Sequence, residues 1–378
     1  MLTTVCKLMK NLVRYYSDKF LEWSDDLLLS IVLITSGIFM LLELLGLNKY
    51  LSRFLAIIPL IVLFIIAGFN RDNRDYWNYQ FAFEDDIHRR SIEFGYAYVV
   101  KIVKQLGGDH TFVVFMIGAL LMLVFFKLLK SSNHINMVIF FYCAFPLIFD
   151  INQIRNLIMY LIIILSFVFI EKQKPLKYYF MVIVAFSFHN LSIVYLPFYY
   201  LCQRSRKKFL KILLGVTTLL LIGSPIVTNI LTRIFPEKME YYLRQTPKWG
   251  VLVIIVYMTI DIFTVWWVDK QIKNKLSEND KKKMEILYRF VLFPIVTIPF
   301  LFYFLEISRL QRSTLLVKYV YCAMAMKYLS FYQKLFTILL LLVSISVYIT
   351  MVFWYNQADL FGYLDENFIK YLIDKFIF

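Results

Sequence analysis

The chain has 378 residues, of which 60% are hydrophobic, 19% aromatic and 18% charged, and its formal net charge is +15. Soluble domains contain about 45–50% apolar and about 25% charged residues, so this composition excludes a water-soluble enzyme. The basic residues are scattered among short loops between apolar runs, which favours contact with anionic lipid headgroups and argues against nucleic-acid binding.

The apolar runs predict an all-α integral membrane protein of about 10–12 transmembrane or half-membrane helices, with one long polar loop and interfacial amphipathic helices. We expect an interfacial segment at 1–26, one polytopic membrane domain at 27–353 and an amphipathic tail at 354–378. The predicted full spans are 27–47, 54–69, 111–129, 209–231, 250–268, 287–305, 314–328 and 335–353.

The long polar loop extends over 70–110 and is predicted to lie outside the cytoplasm. Tyr96, Val99, Val103 and Leu106 repeat at spacings of three and four, which predicts an amphipathic helix on the interface. Earlier in the loop, charged and aromatic residues would suit a sugar lying on a ring beside a phosphate, although an aromatic belt has the same composition. These residues are Arg71, Asp72, Arg74, Asp75, Tyr76, Trp77 and Tyr79.

No metal and no cofactor are predicted. The sequence lacks the GxxxxGK[ST], GxGxxG and HExxH patterns, which argues against an ATP-driven pump and a zinc protease. The adjacent acids Glu84, Asp85 and Asp86 are an alternative divalent-ion site but are more typical of a solvated loop. We also expect solvated histidines and isolated core cysteines, which are His88, His110, His134, Cys6, Cys143, Cys202 and Cys322.

The heptapeptide DINQIRN, at 150–156, interrupts two short apolar segments at 135–149 and 157–170. Interrupted segments are where membrane proteins build binding sites, because non-helical backbone is tolerated only beside protein or a water-filled cavity. Arg155 has a planar donor fork that suits phosphate or carboxylate. The alternative is a snorkelling arginine, or one paired with Asp150.

A second interruption lies at His189 and Asn190, within the apolar segment 178–201. Imidazole titrates near neutral pH and can accept a proton from a hydroxyl nucleophile, so His189 is a candidate general base. A satisfied core histidine is the alternative, because no orienting carboxylate lies nearby in the sequence.

The charged loops give a provisional topology. The segments 171–177, 203–208 and 269–283 are rich in Lys and Arg and are therefore predicted to be cytoplasmic. Both interrupted segments then form hairpins whose tips point outward. Arg309 and Arg312 occupy an outer turn, against the positive-inside trend, which favours an anion-binding role.

Taken in order, these landmarks resemble the EpsG-like branch of the Wzy-type bacterial polysaccharide polymerases. The resemblance covers roughly residues 50–350 and depends on the order and spacing of loose motifs. The motifs are GFNRDNRDYWNY, IEFGYAYVVKIVKQLG, DINQIRN, FHNLSIVYLP and EISRLQR.

The resemblance implies a multi-pass enzyme of the bacterial cytoplasmic membrane. Such an enzyme joins oligosaccharide repeat units carried on undecaprenyl pyrophosphate, at the outer face and without a nucleotide sugar. Membrane lipid surrounds it, and a chain-length regulator and a flippase are left open as partners.

The resemblance also implies roles for individual residues. Arg155 and Gln153 would hold pyrophosphate, and Arg309 or Arg312 would supply a second contact. His189 is the candidate general base and Asp75 its competitor. The remaining substrate-site candidates, in the loop, are Arg71, Arg74, Tyr76, Tyr79 and Glu93.

Three rival functions remain open at this stage. A membrane O-acyltransferase would also need a histidine and arginines, and a single-sugar lipid-linked glycosyltransferase is the nearest enzyme alternative. In a transporter or flippase of lipid-linked sugars, Arg155 would be a carrier site and no bond would form.

Overall fold

Apolar helices dominate the computed structural model, which describes residues 25–70, 74–85, 93–129, 132–234 and 248–356. Within these ranges there is no strand, and eight helices are long and apolar enough to cross a membrane, with three shorter apolar helices beside them. The fold is therefore an all-α multi-pass membrane protein, as predicted. The α-helices are α1 Asp25–Leu44, α2 Lys49–Leu55, α3 Ile57–Gly68, α4 Arg74–Glu84, α5 Phe94–Gln105, α6 His110–Leu129, α7 Ile135–Ala144, α8 Leu147–Asn152, α9 Ile154–Glu171, α10 Pro175–Phe188, α11 Phe198–Cys202, α12 Arg206–Ile234, α13 Lys248–Ile272, α14 Glu278–Leu292, α15 Ile298–Leu301, α16 Arg309–Arg312, α17 Leu315–Ala325 and α18 Phe331–Asn356.

The described residues form two compact units, 25–196 and 197–356. In the first unit, α1 packs on α3 and α7, α3 on α6, and α9 on α6 and α10. Gly118 allows α6 to approach α3 closely, because a Cβ there would lie 2.6 Å from the Cα of Gly68. Small residues let membrane helices meet backbone to backbone, so this crossing sets the distance between α3 and α6.

A buried carboxylate in α1 caps another helix of the same unit. Glu43 Oε1 accepts from the Asn136 backbone N–H at 3.1 Å and from Asn136 Nδ2 at 2.7 Å. The Ser52 hydroxyl donates to the same oxygen at 2.5 Å. A carboxylate at a helix N-terminus satisfies orphan N–H groups, so this intramembrane acid has a structural explanation.

In the second unit, α13 packs on α17 and α18, and α14 packs on α17. Charged side chains join α12, α13 and α14, since Arg206 donates to Asp269 at 2.5 Å and also pairs with Glu285. Arg289 donates to Glu285 at 2.7 Å and to three carbonyls at the end of α11, those of Leu201, Cys202 and Arg204.

The structure contradicts one predicted span and adds detail to the polar loop. The proposed span 314–328 contains α17, which has only 11 residues, all of them buried inside the protein. Within the polar loop, Arg74–Glu84 form the helix α4, which the sequence analysis did not predict. The helix predicted from Tyr96, Val99, Val103 and Leu106 is present as α5, and its buried face uses Tyr96, Val100 and Val103 where α5 packs on α10.

The other predicted full spans each have a helical counterpart, and 154–171 is long enough to be a full span. Of the segments predicted at 1–26 and 354–378, residues 1–24 and 357–378 lie outside the described residues.

Candidate functional site

The polar heptapeptide does interrupt the helices, but the interruption is narrower than predicted. Helix α8 ends at Asn152, and α9 begins at Ile154 after Gln153 adopts a non-helical φ of −98° and ψ of 62°. Arg155 therefore lies in the first turn of α9. The positive end of the helix dipole lies at this turn, which makes it a favourable place for an anion.

Arg155 is held by two residues of the polar loop region. Its Nη1 pairs with Glu93, and its Nε donates to the Tyr79 hydroxyl at 3.1 Å. The guanidinium carbon also lies 5.5 Å from the centroid of the Tyr79 ring. The side chains of Arg155 and Glu93 are 28% and 17% exposed, so the pair is accessible from outside the protein. Arg155, Glu93 and Tyr79, which the sequence analysis proposed as separate candidates, are thus in contact in the structure.

The expected alternative partner of Arg155, Asp150, is engaged elsewhere. Asp150 is buried and accepts from the Tyr142 hydroxyl at 3.0 Å and from the Tyr160 hydroxyl. These tyrosines lie on the helices flanking the interruption, α7 and α9. The pairing of Arg155 with Asp150 was therefore a wrong expectation, because the two buried phenols stabilise the carboxylate instead.

Tyr79, which contacts Arg155, is part of a cluster of aromatic rings that includes His110. The centroids of Tyr79 and Tyr96 are 5.3 Å apart, and those of Tyr76 and His110 are 4.7 Å apart. The Tyr96 oxygen lies 3.4 Å from His110 Nε2. Burial raises the pKa of Tyr96 well above its ordinary range, so the phenol stays protonated. This cluster forms a rigid support for Tyr79.

The expectation of solvated histidines was wrong at His110 and His134, which are both buried. His110 begins α6, and its ring packs against the rings of Tyr76 and Phe83. These residues are distant in sequence, so the polar residues that flank His110 did not indicate its burial. His88 lies outside the described residues.

His189 is brought towards the same region by a close helix crossing. A Cβ on Gly95 of α5 would lie 2.6 Å from the carbonyl oxygen of Ser187 in α10. Glu93 lies just before the start of α5, two residues from Gly95, and His189 lies just after the end of α10, two residues from Ser187. The crossing therefore places the Arg155 partner and the candidate histidine on neighbouring helix ends.

His189 directly follows the last residue of α10 and caps the 3₁₀ turn Asn190–Tyr195. Its Nδ1 accepts from the Leu191 backbone N–H at 3.2 Å. A neutral imidazole that accepts through Nδ1 carries its proton on Nε2, so this geometry assigns Nε2–H as a donor. Action as a base at Nε2 would require the ring to give up the Leu191 hydrogen bond.

Asp75 lies in the first turn of α4 and is half-buried. It precedes Tyr79 by four residues, and residues at this spacing lie on the same helix face. Asp75 is thus one helical turn from the tyrosine that contacts Arg155. Arg71 and the side chain of Arg74 lie outside the described residues.

One residue that the sequence analysis missed is Asn156, beside Arg155 in α9. It is buried, and neither polar atom of its amide has a hydrogen-bond partner among the described residues. Side chains in the first helical turn lean towards the N-terminus, so the amide is directed at the start of α9. A polar residue opening an otherwise apolar helix is the signal that could have identified it.

Of the adjacent acids considered for a metal ion, Glu84 accepts from Gln80 at 3.0 Å, and Asp86 lies outside the described residues. Over the described ranges, no group of three or more His, Cys, Asp or Glu side chains is arranged to hold a metal ion.

The second unit contains the other predicted arginines. Arg309 and Arg312 begin and end the short helix α16, where Arg309 is half-buried and Arg312 is buried. Between them, the buried Gln311 donates from Nε2 to Asp261 Oδ2 at 3.3 Å.

Comparison with known proteins identifies one family. The model of the EpsG family matches residues 53–372, which is most of the chain. No curated protein matches, and no solved structure matches. This family is associated with glycosyltransferase-like polymerase activity. The chain therefore belongs to the EpsG family of polysaccharide-polymerase-type membrane proteins.

Proposed function

We propose that this protein joins oligosaccharide repeat units carried on undecaprenyl pyrophosphate into a surface polysaccharide, at the outer face of the bacterial cytoplasmic membrane. Family membership supports the reaction type. The observation that carries the choice of donor is Arg155, a partly exposed arginine at the N-terminus of a membrane helix. Both the guanidinium and the helix terminus favour a phosphate-bearing ligand.

The reaction breaks the bond between the anomeric carbon of the growing chain and its pyrophosphate oxygen. A bond forms from that carbon to a hydroxyl oxygen of the incoming lipid-linked unit, and the hydroxyl proton passes to a base. Lipid pyrophosphate leaves with the bonding electrons. Negative charge develops on the leaving pyrophosphate, which is where Arg155, with Gln153 beside it, stabilises the transition state.

The acceptor base is Asp75 or His189, and the geometry favours Asp75. Asp75 lies one helical turn from Tyr79, on the helix face that contacts Arg155, and a carboxylate can accept the proton of a sugar hydroxyl. The Nδ1 of His189 is occupied by Leu191, so His189 is better suited to donate from Nε2 to the pyrophosphate or a sugar oxygen. A direct comparison of Asp75→Asn and His189→Gln separates these roles.

The sugar would lie against α4. Tyr76 and Tyr79 are buried, whereas Trp77 on the same helix is 47% exposed. The Tyr79 hydroxyl accepts a hydrogen bond from Arg155 Nε, and the Glu93 carboxylate pairs with Arg155 Nη1. Trp77 therefore offers an accessible indole face on α4 for a sugar ring, and Tyr76 packs against His110.

Purified protein in lipid should convert lipid-linked repeat units into a ladder of longer glycans, with and without chelator. A single new band would instead indicate a one-sugar glycosyltransferase, and transfer of an acyl group would indicate an O-acyltransferase. Movement of substrate across the bilayer without any new bond would indicate a transporter. Each of these three outcomes would overturn the proposal.

A matched set of variants tests the residue roles in the same assay. Asp75→Asn should lower the maximal rate and abolish the limb of the pH–rate profile that reports the base, whereas His189→Gln should keep that limb. The opposite pattern would assign the base to His189. Unchanged rates in both variants would remove both residues from the mechanism.

A further inference from the structure

A fully buried ion pair lies within the second unit. Asp261 is in the membrane-spanning helix α13 and Lys318 is in α17, and both side chains are 0% exposed. Lys318 Nζ pairs with Asp261 Oδ1. An ionisable side chain in the middle of a membrane costs about 2.5–3.5 kcal/mol or more, so two in contact call for a physical reason.

A third helix completes the charged cluster. The Ser344 hydroxyl in α18 donates to Asp261 Oδ1 at 2.7 Å, and Lys318 Nζ donates to the Ser344 oxygen at 2.9 Å. Lys318 Nζ also lies 5.0 Å from the centroid of the Tyr319 ring. Buried ion pairs can often be replaced by apolar residues without loss of stability, so helix packing alone is a weak reason for this cluster.

The remaining carboxylate oxygen points to a function for the pair. Asp261 Oδ2 accepts from Gln311 Nε2, and Gln311 lies between Arg309 and Arg312 in α16. A helix of four residues cannot hold its own orientation, because it contains barely one turn. Gln311 therefore ties the arginine turn, through one hydrogen bond, to a carboxylate that contacts α17 and α18 as well as belonging to α13.

The same turn is held to α17 by its backbone. The Thr314 hydroxyl donates to the Gln311 carbonyl at 2.7 Å, and the Lys318 N–H donates to the Thr314 carbonyl at 2.8 Å. Lys318 thus contacts both the carboxylate and the segment that follows the turn. Asp261, Lys318 and Gln311 form one connected polar network, which we call the turn anchor.

We propose that Asp261 is a positioning residue that fixes Arg309 and Arg312 through Gln311, and that Lys318 and Ser344 hold the Asp261 carboxylate in place by contacting its other oxygen. This proposal depends on the proposed function in one respect, namely that the arginine turn contacts the anionic lipid-linked donor. Groups that bind a phosphate must be held to within about 0.5 Å of the productive geometry. The turn anchor provides that restraint for a segment that is otherwise too short to be rigid.

Two double variants separate positioning from mere packing. Asp261→Asn with Lys318→Met removes both charges but keeps a side-chain carbonyl that can accept from Gln311. Asp261→Leu with Lys318→Met removes both charges and the acceptor. Neither leaves an unpaired buried charge, which is the change that would unfold the helices. Gln311→Leu, which cuts only the link to the turn, serves as an independent third variant.

The first measurement is kinetic, with the ladder assay and undecaprenyl pyrophosphate as a product inhibitor. The variant that keeps the acceptor should retain the wild-type KM for the donor. The variant without the acceptor, and Gln311→Leu, should each raise KM and weaken product inhibition by about tenfold, the effect of losing one hydrogen bond to a charged group. Wild-type values for Gln311→Leu in folded protein would overturn the proposal.

The second measurement does not need activity. Arg309→Cys is added to each background, and its rate of modification by a charged maleimide is followed by peptide mass spectrometry. Loss of the acceptor should speed modification several-fold relative to the variant that keeps it, and equal rates would refute the anchor. If wild-type protein makes no ladder, the proposed function fails, whereas the labelling rates still decide whether the anchor holds the turn.

Discussion

The guanidinium of Arg155 pairs with the carboxylate of Glu93, 62 residues earlier in the chain. The pair joins the first turn of α9 to the start of α5. Since both side chains are partly exposed, the contribution to folding is about 0–1 kcal/mol. The main effect of the pair is to orient the Arg155 guanidinium. Glu93 and Tyr79 both contact this planar group and hold it at the N-terminus of α9.

Replacing Arg155 should therefore affect activity far more than stability. We expect Arg155→Ala to lower the polymerisation rate by about 10²–10³-fold, the usual effect of removing a donor aimed at developing negative charge. Arg155→Lys should recover only part of this loss, because an ammonium cannot make two parallel hydrogen bonds. The measurement is the rate of ladder formation by purified protein.

Lys172→Ala is the matched control, since Lys172 is an exposed cation immediately after the opposite end of α9. It should retain the wild-type rate. Equal activity of Arg155→Ala and Lys172→Ala at equal protein level would contradict a role for Arg155.

The carboxylate partner should act through the arginine. Glu93→Gln keeps the shape of the side chain but removes its charge, so the guanidinium loses its orientation and the rate should fall by about tenfold. In the Arg155→Ala background, Glu93→Gln should have little further effect. A double-mutant cycle measures this coupling. Additive losses in the cycle would show that Glu93 does not work by positioning Arg155.

The backbone contact between α3 and α6 should tolerate no side chain. Gly118→Ala would place a methyl group 2.6 Å from the Cα of Gly68 and should push the helices apart, with a loss of stability of about 1–3 kcal/mol. Thermal unfolding in detergent measures the effect. Gly215→Ala in α12 is the control, because a Cβ at Gly215 meets nothing within 4 Å. That variant should be neutral or slightly stabilising, so the same loss in both would refute close packing as the cause.

Arg289 should be a major stabilising residue of the second unit. Arg289→Met removes a buried donor from Glu285 and from three carbonyls near the end of α11, and should cost about 1–3 kcal/mol because the carbonyls lose their partner. Lys281 pairs with Glu278 at 3.2 Å, but both side chains are exposed, so Lys281→Ala should cost little. Similar unfolding temperatures for the two variants would contradict the assignment.

The sequence alone determined the class of the protein and the position of its interruptions. Apolar runs about as long as a bilayer is thick leave few alternatives to membrane helices, because every backbone polar group must find a partner within the helix. For the same reason, polar residues within apolar runs predicted helix breaks at DINQIRN and at His189 and Asn190. The structure confirms both breaks.

The tertiary structure decided which side chains meet. Asp150 is close to Arg155 in sequence, but it bonds to Tyr142 and Tyr160, whereas Arg155 pairs with the distant Glu93. The apolar run at 314–328 was long enough to suggest a span, yet it forms a short buried helix. Periodicity and hydropathy describe one segment at a time. An ion pair or a buried helix depends on which segments pack together, and that packing is set only in the folded chain.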